Sequence, residues 1–132
     1  MKLLADTSAL LALFLRDDQN HAAAAAFHRQ NRDIRFLLSD LILAELVTRL
    51  RARIGATPAA DAAQSLLSSS RYEVIFVDRD LFEGALAALR RFADKRLSLT
   101  DAASFELISR LGLDGAFTFD RDFRDCGFNA QP

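Results

Sequence analysis

Lys2-Leu3-Leu4-Ala5-Asp6-Thr7-Ser8-Ala9-Leu10 is an apolar run cut off by an acid and followed by two small hydroxyl residues. Lys2–Ala5 reads as a short buried strand. Thr7 and Ser8 are good helix caps, and Ala9–Leu15 reads as the helix that follows. Asp6 therefore stands where a buried strand leaves the core, a place where a charge is costly unless it meets a donor, a cation or water.

The same alternation of short apolar runs and helical segments continues along the chain. Strands are expected at Ile34–Leu38, Tyr72–Val77 and Gly115–Phe119. Helices are expected over His21–Arg29, Leu41 to Arg53 with a stop at Gly55, Pro58 to Leu67 with Thr57 as cap, from Asp78–Asp80 to Phe92, and from Ser98 or Thr100 to Leu111. Strands separated by helices imply an α/β domain with a mainly parallel central sheet and helices on both faces, a Rossmann-like three-layer arrangement. Such sheets bind ligands beyond the carboxyl ends of their strands. Asp6 and Asp120 both fall at such ends.

Composition fits one globular domain over residues 1–132. The chain is 51% hydrophobic and 27% charged, has only 2 Pro, and shows no linker, repeat or low-complexity tract. Its formal net charge of −1 argues against a general nucleic-acid coating protein, but leaves room for a nuclease that recruits positive charge as metal ions. Cys126 is the single cysteine, which excludes an internal disulfide and a cysteine-based zinc site and fits a reducing cytoplasm. Ala9–Leu15 imitates the apolar part of a signal peptide, but Asp6 interrupts the stretch and Arg16, Asp17 and Asp18 follow it at once. No apolar run approaches the ~20 residues that span a bilayer.

Four acids stand out, and each has a plainer reading beside the functional one. Asp6 caps the next helix or serves a site. Glu45 lies in Leu41-Ile42-Leu43-Ala44-Glu45-Leu46-Val47, otherwise apolar, so it faces a cleft or pairs with Arg49 one turn on. Asp101 takes the third helical position after Ser98, as in a capping box, or joins a cluster. Asp120, in Phe117-Thr118-Phe119-Asp120-Arg121-Asp122-Phe123, shares a strand face with Thr118 or is a turn aspartate. Taken together, one parallel sheet could bring all four to one edge. Clustered carboxylates repel one another and raise their own pKa values unless a cation is present, and an all-oxygen set selects Mg²⁺ or Mn²⁺. His21 and His28 have no evident place in such a cluster. There is no phosphate-binding glycine-rich loop and no serine nucleophile elbow.

At these residues the chain resembles the PIN-domain family and, within it, the VapC-like ribonuclease toxins of toxin–antitoxin pairs. The resemblance runs through Leu3-Leu4-Ala5-Asp6-Thr7-Ser8-Ala9-Leu10, Ala44-Glu45-Leu46, Leu99-Thr100-Asp101-Ala102 and Phe117-Thr118-Phe119-Asp120-Arg121-Asp122-Phe123. Each segment is short and degenerate; their order and spacing are the specific signal. The segment between Thr57 and Asp80 matches nothing specific. The resemblance implies a Mg²⁺- or Mn²⁺-dependent RNA phosphodiesterase. It implies Asp6 and Asp101 as main metal ligands and Glu45 and Asp120 as the other acids of a catalytic quartet. Ser8 and Thr118 match small hydroxyl positions near the site, and Asp122 matches an additional acid. It also implies a cognate antitoxin partner and a homodimer.

Competing readings are a non-catalytic PIN-like module that binds RNA or protein, a receiver-type Mg²⁺-binding signalling domain, and a flap-type DNA nuclease. The intact quartet argues against the first. A receiver domain needs an adjacent acidic pair after its first strand and a lysine after its last; here stand a lone Asp6 and Asp120-Arg121. A flap nuclease needs basic and helical additions for which 132 residues leave little room.

Overall fold

The computed structural model describes all residues from Met1 to Pro132. Its elements are β1 (Lys2–Ala5), α1 (Thr7–Phe14), α2 (His21–Gln30), β2 (Arg35–Ser39), α3 (Asp40–Ile54), α4 (Ala56–Ser68), β3 (Tyr72–Ile75), α5 (Arg79–Arg91), α6 (Leu99–Leu111), β4 (Ala116–Phe117), α7 (Arg121–Asp125) and β5 (Ala130–Gln131). The five strands form one sheet in the order β3-β2-β1-β4-β5. Every pairing is parallel, with Leu3 opposite Phe36, Leu37 opposite Glu73 and Ala5 opposite Phe117. The expected α/β class and parallel sheet are present.

The strand order reverses direction between β1 and β4. At that point connections leave toward opposite sides of the sheet and open a crevice at its carboxyl edge. β1 lies at the centre because beyond the exposed Lys2 nothing in it needs water: Leu3, Leu4 and Ala5 are fully buried. Phe36, Leu38 and Phe117 fill the layer beside it, and Phe105 of α6 packs edge-on against Phe123 and face-on against Phe128. α5 and α6 meet through Ala85, Ala88, Ala102 and Ala103, small side chains that let the two helices approach closely.

Several boundaries differ from those expected. α1 begins two residues earlier, because Asp6 rather than Thr7 or Ser8 is its N-cap. α4 begins at Ala56 with Gly55 as cap, so Pro58 sits at the third helical position, where its missing N–H is still outside the helical ladder. α3 is not apolar all round: Ile42, Leu46 and Leu50 are buried, Ala44 is exposed and Glu45 is half-buried. β4 is shorter than Gly115–Phe119. β5 and α7 have no counterpart in the sequence reading; a two-residue strand and a five-residue helix are too short for periodicity to register.

Candidate active site

Asp6 leaves β1 and turns at once into α1. Its Oδ2 accepts hydrogen bonds from the Ser8 backbone N–H (3.4 Å), the Ser8 hydroxyl (2.7 Å) and the Thr118 hydroxyl (2.8 Å). Those two hydroxyls also accept. Ser8 Oγ takes the Phe119 N–H at 3.0 Å, and Thr118 Oγ1 takes the Asp120 N–H at 2.9 Å. The segment leaving β4 is thus latched to the β1–α1 turn through one carboxylate oxygen. All three donors converge on Oδ2, and no protein donor reaches Oδ1. Asp6 is only 4% exposed. Burial pushes its carboxyl above the usual range, the Ser8 and Thr118 hydrogen bonds pull the other way, and the Asp120 carboxylate adds to the rise.

Asp101 is the third residue of α6. It closes a capping box with Ser98: Asp101 N–H donates to Ser98 Oγ at 3.0 Å, and Ser98 N–H donates to Asp101 Oδ2 at 3.1 Å. Its carboxyl is pushed up to about 6, chiefly by burial, with the charges of Asp6 and Asp120 adding to the effect against the Ser98 hydrogen bonds. Asp120 caps α7 by accepting the Asp122 N–H at 2.9 Å. Carboxylate oxygens of Asp101, Asp120 and Asp122 lie within 4.8 Å of one another.

Asp6, Thr7, Ser8, Glu45, Arg49, Arg96, Ser98, Asp101, Asp120 and Asp122 line a single cleft of about 240 Å³ with no hydrophobic residue in its wall. Every acid singled out in the sequence faces it. The capping roles are real as well. Asp6, Asp101 and Asp120 each serve a helix start, and α1, α6 and α7 all begin at this edge. Their positive ends offset part of the concentrated negative charge. Glu45 reaches the cleft from α3 and keeps its one-turn partner, with Arg49 Nη2 3.6 Å away. That pair is long and Arg49 is well exposed, so it neutralises Glu45 only in part.

Carboxylates this close repel, and two have raised proton affinity; both effects reverse when a cation sits among them. The donor set is all oxygen, with no Cys or His, which fits a hard divalent ion. The tight group is Asp101, Asp120 and Asp122. Asp122, expected as a supplementary acid at the rim, is a full member of it. Asp6 stands at its side with Oδ1 unengaged. Sequence reading did not place Arg49 and Arg96 in the cleft, since an arginine in a charged segment carries no sign of which face it lies on.

A PIN-domain family model matches residues 3–129. This chain belongs to the PIN-domain family. The PIN domain is 33% identical over 123 residues to the "23S rRNA-specific endonuclease VapC20" of two Mycobacterium tuberculosis strains, covering 93% of this chain and 92% of that one. It is 29% identical to "Ribonuclease VapC26" of Mycobacterium tuberculosis, over 90% of this chain and 87% of the relative. Among solved structures, that of VapC20, described as a sarcin–ricin loop cleaving toxin, superposes with a TM-score of 0.89 at 31% identity over 96% of each chain. VapBC2 from Rickettsia felis, bound to promoter DNA, has a TM-score of 0.68 at 12% identity over 99% of this chain and 98% of that one, a likeness of fold alone. The expected VapC-like resemblance is therefore present in both sequence and structure.

Proposed function

We propose that this PIN domain, folding as one unit over residues 1–132, is a Mg²⁺- or Mn²⁺-dependent endoribonuclease and the toxin of a type II toxin–antitoxin pair. The observation that carries the reading is the cleft: carboxylates from four separate segments, Asp6, Glu45, Asp101 and the Asp120–Asp122 pair, meet at the switch point of a sheet whose chain is similar along nearly its whole length to RNA-cleaving VapC proteins.

In this reading Asp101, Asp120 and Asp122 hold the cation, with Asp6 supplying Oδ1. A bound hard divalent ion supplies charge neutralisation at the phosphoryl oxygens and a more acidic water. The protein's own contribution is positional. Ser8 and Thr118 fix the Asp6 carboxylate, and Ser98 fixes that of Asp101. Glu45, half-exposed and only loosely paired, accepts a proton at its carboxylate from the attacking water. Arg96, which has no carboxylate partner, holds a backbone phosphate at the mouth of the cleft. None of the carboxylates attacks phosphorus itself. The biological setting is a cytoplasmic homodimer silenced by a cognate antitoxin that lays a segment carrying Arg or Lys into the acidic cleft. By analogy with the named activity of VapC20, a ribosomal RNA is the substrate class.

The test is direct. Asp101→Asn and Asp6→Asn should abolish cleavage of total RNA in Mn²⁺ while the far-UV spectrum stays native, and EDTA should silence the wild type. Expression of the wild-type chain should arrest growth, and the double variant should not. Full cleavage by either single variant defeats the site assignment.

A further inference from the structure

The cleft cannot attract RNA on its own charge. Five acids line it against two arginines, Arg49 and Arg96. RNA affinity comes mainly from cations set against phosphates, so a chain with net charge −1 needs a concentrated positive surface elsewhere.

That surface lies at the opposite end of the sheet. His28, Arg29, Arg32 and Arg71 line a recess of about 430 Å³ that has neither a carboxylate nor an apolar side chain in its wall. Arg71 immediately precedes β3, and Arg29 and Arg32 flank the end of α2, so the recess opens at the amino ends of β2 and β3. Arg35 begins β2 at the same edge. The Arg71 guanidinium is fixed: Nε donates to the Ile34 carbonyl at 3.0 Å, Nη2 donates to the Asn31 carbonyl, and the group lies over the Phe36 ring, 5.1 Å from its centre. Nη1 meets only the two ring nitrogens of His28, at 3.3 and 3.4 Å, long contacts that use little of its donor capacity. Burial and the neighbouring Arg71 charge hold His28 below its ordinary range, so the ring remains neutral near pH 7. None of the protein's ion pairs involves Arg29, Arg32, Arg35 or Arg71. A half-buried, immobilised guanidinium flanked by unpaired arginines, with no counter-charge, is an incomplete anion site.

We propose that this recess is a second RNA-binding point, in which Arg29, Arg32 and Arg71 grip backbone phosphates of a folded RNA whose scissile strand lies in the cleft. The proposal rests on the ribonuclease reading above. A four-residue strand spans roughly 13 Å, and the recess and the cleft lie beyond opposite ends of the sheet, so only a folded RNA long enough to pass along the side of the domain engages both and a very short strand fills only the cleft. Contacts of this kind fix orientation without reading bases. An acidic polypeptide is the other macromolecule that could meet these cations, but a protein partner anchors through apolar side chains, and the recess wall has none.

Arg29 and Arg32 are exposed and make no side-chain bond, so their removal leaves the fold intact. In EDTA, where nothing is cut, the anisotropy of a labelled hairpin RNA gives its Kd against salt for wild type and for Arg29→Gln/Arg32→Gln. The expected result is a Kd raised about tenfold or more near 100 mM salt and a log–log salt slope smaller by roughly 1.4 to 1.8, at ~0.7–0.9 per lost phosphate contact. Cleavage of a short single-stranded oligonucleotide in Mn²⁺ should not change. An unaltered Kd and slope overturn the proposal, as does a double variant that keeps hairpin affinity but loses binding to poly-L-glutamate. If the wild type binds the hairpin through these arginines yet cuts no RNA, the nuclease reading fails and the recess stands. If it cuts normally while the double variant binds like wild type, the recess alone fails.

Discussion

The Thr118 hydroxyl donates to Asp6 Oδ2 at 2.8 Å, joining two residues 112 positions apart, while its own oxygen accepts the Asp120 N–H. One buried threonine thereby sets the position of two acids that lie just beyond neighbouring central strands. Ser8 repeats the pattern from the other side, between Asp6 and the Phe119 N–H. A hydroxyl has one proton to give, and in each case it is given to Asp6. Oδ2 is thus occupied by the protein and Oδ1 is left for the cleft.

Thr118→Val keeps the shape and removes both bonds. It leaves the Asp120 N–H unsatisfied and one donor fewer at Asp6, a loss of about 1–3 kcal/mol by urea unfolding. RNA cleavage should fall at least tenfold with the fold intact. Thr118→Ser restores the hydroxyl and should recover most of both. If Val cleaves as wild type does, the hydroxyl does not position the site. If Ser fails to rescue, the methyl group and its packing are responsible instead.

Metal-free stability should depend on pH in the unusual direction for aspartates. Asp101 titrates at about 6 in the folded protein against 3.8 as the reference value, chiefly through burial, and Asp6 is raised for the same reason. The native state therefore holds more protons than the unfolded chain between those values. The stabilising contribution is complete below 3.8 and is lost as pH rises through about 6. In EDTA the Tm should fall between pH 4 and pH 7, and Asp101→Asn should flatten that fall. Mn²⁺ competes with protons for the same oxygens, so it should raise the Tm more at pH 7 than at pH 5. A Tm that rises with pH in EDTA, or Mn²⁺ stabilisation that survives in Asp101→Asn, contradicts the electrostatics described.

How much of this was legible beforehand follows from the kind of signal each part carries. β1 and β2 announce themselves as apolar runs because both faces of a central parallel strand are covered. The acids were legible, but their separate readings could not be ranked from sequence. For Asp6, Asp101 and Asp120 the structure makes capping and clustering the same fact: α1 and α7 follow β1 and β4 and so begin beyond the carboxyl edge, and α6, although it follows α5, starts at the same cleft, so their caps converge there. Other features depend on pairings that have no periodicity. β5 exists because Ala130 and Gln131 find β4, and the basic recess because Arg71 folds across Asn31 and Ile34. Residues 57–80, which matched nothing specific, carry α4 and the edge strand β3 and none of the cleft residues.

Gly115 is required by geometry. Its φ is +147°, and a Cβ there would press into the backbone carbonyl of Asn129, the group that pairs with Ala116 N–H at 2.9 Å to start the β4–β5 ladder. The residue also offers its own carbonyl to Leu4 N–H at 2.9 Å. Gly115→Ala should cost about 1–3 kcal/mol or more, since backbone rather than a side chain must move. At Gly84 the added Cβ meets only the ends of the Arg110 and Glu106 side chains. Those can swing away, so Gly84→Ala should be much milder. Chemical denaturation of the two variants side by side distinguishes them, and equal losses would refute the assignment of strain to Gly115.

Ser98 is exposed and forms no hydrogen bond with the other acids, yet it helps set where the Asp101 carboxylate points. The capping box engages Asp101 Oδ2 through the Ser98 N–H and the Asp101 N–H through Ser98 Oγ, which leaves Oδ1 without a protein donor. Ser98→Ala loses the Oγ acceptor but keeps its backbone N–H. The helix start should weaken by about 1 kcal/mol. Asp101, tied to residue 98 by one bond of the box instead of two, holds its carboxylate less rigidly and should bind Mn²⁺ several-fold less tightly by calorimetry. Ser98→Thr keeps the acceptor and should retain both stability and metal affinity. If Ser98→Ala loses stability with Mn²⁺ affinity unchanged, the box serves α6 alone and the positioning role is wrong. If affinity falls and Thr restores it, an ordinary helix cap has been used to aim a metal ligand.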